Sequence, residues 1–195
     1  MNKTYYRFFG GLLTAQERWL NRMARQGLRL VETGKLSYTF APCTPGQYQY
    51  RVEFVGQKSR EGGEDYAAFL EEFGYRTFFK NINLNFSVGK VQARPWADQG
   101  GRLATNGRTY NRELLIVEGP GEEPLQLRTT YEDRVGYCTT LQRPWLYAFL
   151  AALLFSALLE SPAVGLVLAA VCLVPLALFQ REKTHLRRKA RTQEW

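Results

Sequence analysis

Between Gln47 and Val55 apolar and polar side chains alternate, with Tyr48, Tyr50, Val52 and Phe54 set against Gln49, Arg51 and Glu53. A period of two predicts a strand with one face buried and the other wet. A different period governs the preceding segment. Ala15, Trp19 and Met23 recur at i, i+4 and i+8 with Leu20 beside them, which predicts a helix with one apolar face. Thr14-Ala15-Gln16-Glu17 reads as its capping box and Gly27 as its left-handed stop. Tyr5 to Phe9 reads as a strand before that helix, and Leu28 to Thr33 with Leu36 to Phe40 as a hairpin around Gly34-Lys35 after it.

The same order returns 47 residues later. The strand Gln47 to Val55 leads to a helix from Glu64 to Phe73 that places Tyr66, Phe69, Leu70 and Phe73 on one side, and Gly74 stands where Gly27 stood. Tyr75 to Lys80 and Ile82 to Val88 then close the second half. Strand, helix and strand pair, given twice, predict an α+β class: a ferredoxin-like antiparallel sheet with helices on one face, over residues 1–88.

Residues 89–143 break the repeat. From Gly89 to Arg112 the chain mixes Lys90, Arg94, Arg102, Arg108 and Arg112 with Trp96, Tyr110 and four glycines, and Asp98 is its only acid. That composition is suited to hold a phosphate, a lipid headgroup or a single nucleic-acid strand by charge and stacking, and equally suits a solvated loop or a partner-binding insertion. Leu114 to Glu118 and Leu125 to Thr129 read as a hairpin around Gly119-Pro120-Gly121. Thr130-Tyr131-Glu132-Asp133 opens a helix running up to Pro144, with Tyr131, Val135, Cys138 and Leu141 on one flank.

From Trp145 to Phe179 one charge, Glu160, interrupts an otherwise apolar run. As a single helix it would measure about 52 Å against a hydrocarbon core of about 30 Å. Glu160-Ser161-Pro162 divides it, so residues 144–180 predict a two-helix membrane anchor, Trp145 to Leu159 and Pro162 to Phe179, short for two full crossings. Ala148, Ala152 and Ser156 on one helix, with Gly165 and Ala169 on the other, would let the backbones approach closely. Trp145 and Tyr147 suit the headgroup layer. Arg181, Lys183, Arg187, Arg188, Lys189 and Arg191 follow the second helix while the turn carries only Glu160, which predicts both termini in the cytoplasm. Residues 181–195 are thus a basic cytoplasmic tail.

Charge sharpens this division. The net charge of +8 separates into about +5 over residues 1–144, −1 in the apolar run and +4 in the last sixteen residues. The N-terminus has frequent charges and no apolar core, so no cleaved signal is expected. Cys43, Cys138 and Cys172 are far apart and predict no disulfide framework. His185 is the only histidine and lies in the basic tail, and the acidic pairs are sequence neighbours on surfaces or in loops, so no catalytic or metal constellation and no cofactor is expected.

The stretch Glu17 to Leu30, together with Phe40, Pro45-Gly46-Gln47-Tyr48-Gln49-Tyr50-Arg51-Val52-Glu53-Phe54 and Leu70 to Tyr75, resembles the bacterial family called domain of unknown function 2812. The resemblance implies a soluble N-terminal domain followed by membrane helices, genes beside PadR-like transcriptional repressors in Gram-positive bacteria, and no assigned activity or catalytic residue. The expectation is a non-enzymatic binding or regulatory module, integral to the bacterial cytoplasmic membrane, whose partner is a protein such as a transcriptional regulator. The alternatives are binding of nucleic acid or phospholipid headgroups through the 89–112 loop, and an enzyme acting on a membrane substrate.

Overall fold

The computed structural model describes the chain except residues 57–59, 83–85, 89–90, 94–102, 105–112, 123–124, 126, 128–129, 159–161 and 194–195. It comprises two compact units, Met1–Arg128 and Thr129–Trp195.

In the first unit the order is β1 (Lys3–Tyr6), α1 (Leu13–Arg25), β2 (Leu28–Thr33), β3 (Ser37–Pro42), β4 (Tyr48–Phe54), α2 (Arg60–Glu72), β5 (Arg76–Lys80), β6 (Phe86–Val88), β7 (Val91–Ala93), β8 (Leu103–Ala104) and β9 (Leu114–Pro120). The α+β class and the duplication are as the residue pattern implies. The strands form a three-stranded sheet ordered β1-β3-β2, a second ordered β4-β9-β5, and a small third one ordered β6-β7-β8. Among the described residues all pairings are antiparallel. Each of the first two sheets is a split β-α-β unit: two parallel strands joined through a helix, with a third strand inserted antiparallel between them.

The second half does not take its third strand from Ile82 to Val88. β9 occupies that place, pairing Tyr48 to Phe54 on one side and Arg76 to Lys80 on the other. Leu114-Leu115-Ile116-Val117 is continuously buried, at 1% exposure or less. A central strand covered on both faces reads as an unbroken aliphatic run rather than an alternation, so this run outcompetes a shorter hairpin. Most of the strand expected over Leu125 to Thr129 lies outside the described residues; Leu125 itself is buried in the cluster of Val55, Ala67, Leu70, Leu115 and Val117 beneath α2. The duplicated unit therefore extends past residue 88. Phe86–Val88, the end of the strand expected over Ile82 to Val88, pairs with Val91–Ala93, which pairs in turn with Leu103–Ala104, so two short strands lie in the segment read as a loop.

Both repeat glycines adopt positive φ, Gly27 at 77° and Gly74 at 82°, the region an L side chain avoids. At Gly27 a β-carbon would also stand 2.8 Å from the Cys43 carbonyl oxygen. The capping box at Thr14 is not formed. The cap is Leu12, with no side-chain bond, because the turn at Gly10 and Gly11 starts the helix earlier and draws Thr14 inside it. α1 packs Trp19 against Tyr38 and Phe40, with centroids 4.9 and 5.6 Å apart. Its other polar side chains close the free edge of β4. Asn21 donates to the Tyr50 carbonyl at 2.7 Å and accepts from the Tyr50 amide at 2.9 Å, and Glu17 accepts from the Val52 amide at 3.3 Å. A helix side chain thus does what a neighbouring strand would do for an exposed edge. The wet face expected of β4 is likewise covered: Glu53 is buried and accepts from the Tyr66 hydroxyl of α2 at 2.7 Å.

The second unit is a helical pair, α3 (Tyr131–Leu158) and α4 (Pro162–Gln193). Thr130 caps α3, its hydroxyl accepting from the Asp133 amide at 3.2 Å while its own amide donates to the Asp133 carboxylate at 2.9 Å. The division of the apolar run falls as expected, but the helices are longer. At 28 and 32 residues they measure about 42 and 48 Å, because α3 runs unbroken through Pro144 and α4, with Pro175 inside it, continues past Phe179 into the basic segment. Proline is tolerated inside such helices where neighbouring groups can satisfy the backbone it frees. Ala152, Ser156, Gly165 and Ala169 are buried between the helices, whereas Ala148 is exposed. A β-carbon on Gly165 would stand 2.7 Å from Ser156 Cα and 2.8 Å from the Ala152 carbonyl oxygen, which measures how close the backbones come.

Candidate functional site

The candidate binding residues Lys90, Arg94, Trp96, Arg102, Arg108, Tyr110 and Arg112 lie outside the described residues. The described polar machinery gathers elsewhere, where β2 of the first sheet meets the inner face of the second. Register sets its composition. Pairing places Tyr50 opposite Glu118 and Arg76 opposite Glu118 on that face, and β2 brings Arg29 across to them.

Glu118 is 2% exposed, yet all its charge is answered. Arg29 donates to Oε1 from Nε at 2.9 Å and from Nη2 at 2.7 Å, and the Tyr50 hydroxyl donates to Oε2 at 2.7 Å. That hydroxyl accepts in turn from the Leu30 amide at 2.8 Å. The chain amide, hydroxyl, carboxylate, guanidinium is continuous from the core to the surface. The bond to Glu118 raises the pKa of Arg29. Burial, and then the charge of Glu118, push the Tyr50 phenol far above its ordinary range, so it stays a donor. The Arg29 guanidinium also lies 4.2 Å from the Tyr48 ring centroid, which orients it further.

This network floors a cleft of about 770 Å³, within the size range of small-molecule and peptide sites. Arg76 stands at its wall, exposed, 4.8 Å over the Phe78 ring and 3.4 Å from the Val31 carbonyl oxygen. Gly46, Gly74, Gly119 and Gly121 leave backbone bare along the remaining walls. Gly121 donates its amide to Gln47 at 2.9 Å, and the two turns approach so closely that a β-carbon at Gly121 would overlap the Gly46 carbonyl. The arrangement offers one fixed cation, one adjustable cation, an aromatic ring and exposed peptide groups. It suits recognition of an acidic or peptide-like ligand; both Glu118 oxygens are already engaged, so the acid is a holder of Arg29.

Composition alone did not single out this cleft, because its members come from four strands and carry ordinary residue types. The available signal was Glu118 itself, a charge at the end of an unbroken aliphatic run. Of the expected interface residues in the second unit, Trp145 is half-buried and Tyr147 is 66% exposed, while Arg181, Arg187, Arg188 and Lys189 are exposed. Lys183 donates to Gln142 Oε1 across the helical pair at 2.7 Å. His185 is exposed. Among the described residues there is no group of three or more His, Cys, Asp or Glu side chains placed to hold a metal ion.

Comparison with known proteins gives a family model, described as a protein of unknown function (DUF2812), that matches residues 13–150. None of the curated proteins and none of the solved structures matches the chain.

Proposed function

Since the chain belongs to the DUF2812 family, whose description carries no activity, we propose from its own geometry that it is a membrane-anchored binding module presenting the duplicated α+β unit in the cytoplasm. The observation that carries this reading is the outer surface of the helical pair. Leu146, Leu150, Leu154, Phe155 and Leu158 on α3, and Val164, Leu166, Val167, Val171 and Val174 on α4, are all at least 43% exposed. Both helices are long and apolar enough to cross a membrane. A contiguous apolar surface of this kind is stable in lipid and aggregates in water. The basic residues Arg181 to Arg191 in the C-terminal part of α4 and the lone Glu160 before its start support both termini on the cytoplasmic side.

The ligand of the module is an acidic segment of a protein partner, seated in the cleft against Arg29 and Arg76. A transcriptional regulator of the PadR-like kind is the partner that the family resemblance suggests. Two measurements test the reading. Carbonate washing of cell membranes should leave the chain in the pellet and detergent should release it; release by carbonate alone refutes the anchor. Crosslinking in intact membranes should capture a protein partner that Arg76→Glu loses, and capture unchanged by that substitution refutes the cleft.

A further inference from the structure

On the first unit, away from the residues that line the Glu118 cleft, α1 and the segment after β1 enclose a smaller pocket of about 370 Å³. Three arginines line it: Arg7 from the segment after β1, and Arg18 and Arg22 from α1. All three are exposed, and none forms an ion pair with a carboxylate among the described residues. Glu17, the acid nearest in sequence, is turned to the β4 edge, where it accepts from Val52. Arg18 and Arg22 stand one turn apart, a like-charge spacing that costs a helix a few tenths of a kcal/mol unless an anion sits between the two groups. Arg18 is steadied by a bond from Nε to the Thr14 carbonyl at 3.3 Å. Arg7 is steadied by the faces of Phe9 and Trp19, 5.8 and 5.5 Å from their centroids.

The rest of the lining is apolar. Trp19 is 7% exposed and forms the floor, Phe9 lies beside it at a centroid distance of 5.5 Å, and Phe8 is 57% exposed at the mouth. The first turn of α1 has no acidic residue and no side-chain cap, so the positive end of the helix adds to the same field. Three guanidinium groups around an aromatic floor match a ligand with an oxyanion head on an apolar body. Guanidinium is suited to phosphate, which it grips through paired N–H donors, and the rings take whatever carries the phosphate.

We infer that Arg7, Arg18 and Arg22, with Trp19, Phe9 and Phe8, form a binding site for a phosphate monoester bearing an apolar group. Such a head is found both on soluble esters and on phosphatidic acid. The inference does not depend on the membrane anchor, since a soluble ester would bind the same pocket.

The test uses the full chain in neutral detergent micelles and in phosphatidylcholine nanodiscs, with titration calorimetry as the readout. Phenyl phosphate should bind saturably and more tightly than inorganic phosphate. Arg18→Gln and Arg22→Gln should each weaken it about tenfold, while Arg25→Gln, on the same helix but not lining the pocket, should leave it unchanged. Phe8→Ala should weaken phenyl phosphate and spare inorganic phosphate. Nanodiscs doped with phosphatidic acid distinguish the source: loss of phenyl phosphate binding in doped discs, restored in Arg18→Gln/Arg22→Gln only to that variant's own weak level, identifies the lipid headgroup as occupant, and unchanged binding identifies a soluble ester. Absence of saturable binding by either phosphate, or equal weakening by Arg25→Gln and Arg22→Gln, overturns the proposal.

Discussion

Replacing Glu118 tests whether the two halves of the first unit are tied through one carboxylate. Glu118→Gln keeps the size of the side chain but removes its charge, and its single amide oxygen can accept from Arg29 or from Tyr50 but not from both, because the nitrogen cannot accept. Removing one member of a fully buried ion pair costs about 3–5 kcal/mol. Glu118 is 2% exposed but Arg29 is 33% exposed, so the arginine regains part of its hydration and the expected cost falls to about 2 kcal/mol. Glu118→Leu should cost more, because the Tyr50 hydroxyl then loses its acceptor in the core. Adding Arg29→Met to Glu118→Leu should recover about 2 kcal/mol, since two apolar side chains replace a broken pair. Amide hydrogen exchange of β9 in the full chain reads this directly and without interference from the helical pair. A loss of 2 kcal/mol corresponds to about a 30-fold fall in protection if those amides exchange by opening of the unit. Protection within a factor of two of wild type, or additive effects of Arg29→Met and Glu118→Leu, would refute the argument.

Three further outcomes follow from individual contacts. Asn21→Ala strips partners from the Tyr50 amide and carbonyl, so it should cost about 2 kcal/mol and accelerate exchange at the β4 edge; equal exchange in variant and wild type would show that water replaces the side chain. Lys80 is 3% exposed and bonds the carbonyls of Gly34, Lys35 and Ser37, and burial lowers its pKa from 10.5 to about 8. The unfolded chain therefore holds this proton over a pH range where the folded chain has lost it. Stability should rise by up to about 1.4 kcal/mol per pH unit from about pH 8 toward pH 10, and Lys80→Met should abolish that slope in denaturant titrations. Gly165→Val places methyl groups where Ser156 and the Ala152 carbonyl already stand, so it should separate the helices and lower the helical melting temperature in detergent. An unchanged melt would refute the close crossing.

The parts of the fold legible from the sequence are those whose cause is local. A helix stopped by a left-handed glycine appears at Gly27 and again at Gly74, because only glycine takes that backbone conformation without strain, and the repeat could be read from those two positions. Leu28–Thr33 was delimited correctly by its neighbours' turn chemistry. The division at Pro162 was legible for a similar reason, since proline suits a helix start whatever lies around it. What escaped was non-local. β9 is separated by more than thirty residues from β5, the strand it pairs with, and no short-range period announces that Leu114 to Val117 will be inserted between two strands already formed into a β-α-β unit. The Arg29–Glu118 pair spans 89 positions and was invisible for the same reason.

The same contrast bears on function. The third strand closes each sheet, and in the second half it also delivers Glu118 to the end of the inner face, so the strand that completes the fold also fixes the floor of the cleft. Its counterpart in the first half, β3, delivers Tyr38 and Phe40 against Trp19, and thereby supports the aromatic floor of the arginine pocket. Duplication has thus produced two inserted strands with different burdens: one carries a buried charge that holds an arginine in place, the other carries rings that back Trp19, over which Arg7 lies. A change in β9 should therefore disturb the cleft and spare the pocket, and a change in β3 the reverse. Arg76-dependent partner capture and phenyl phosphate binding, measured side by side on Glu118→Gln and Phe40→Leu, separate the two. Equal loss of both in either variant would mean that the sheets do not act as independent supports.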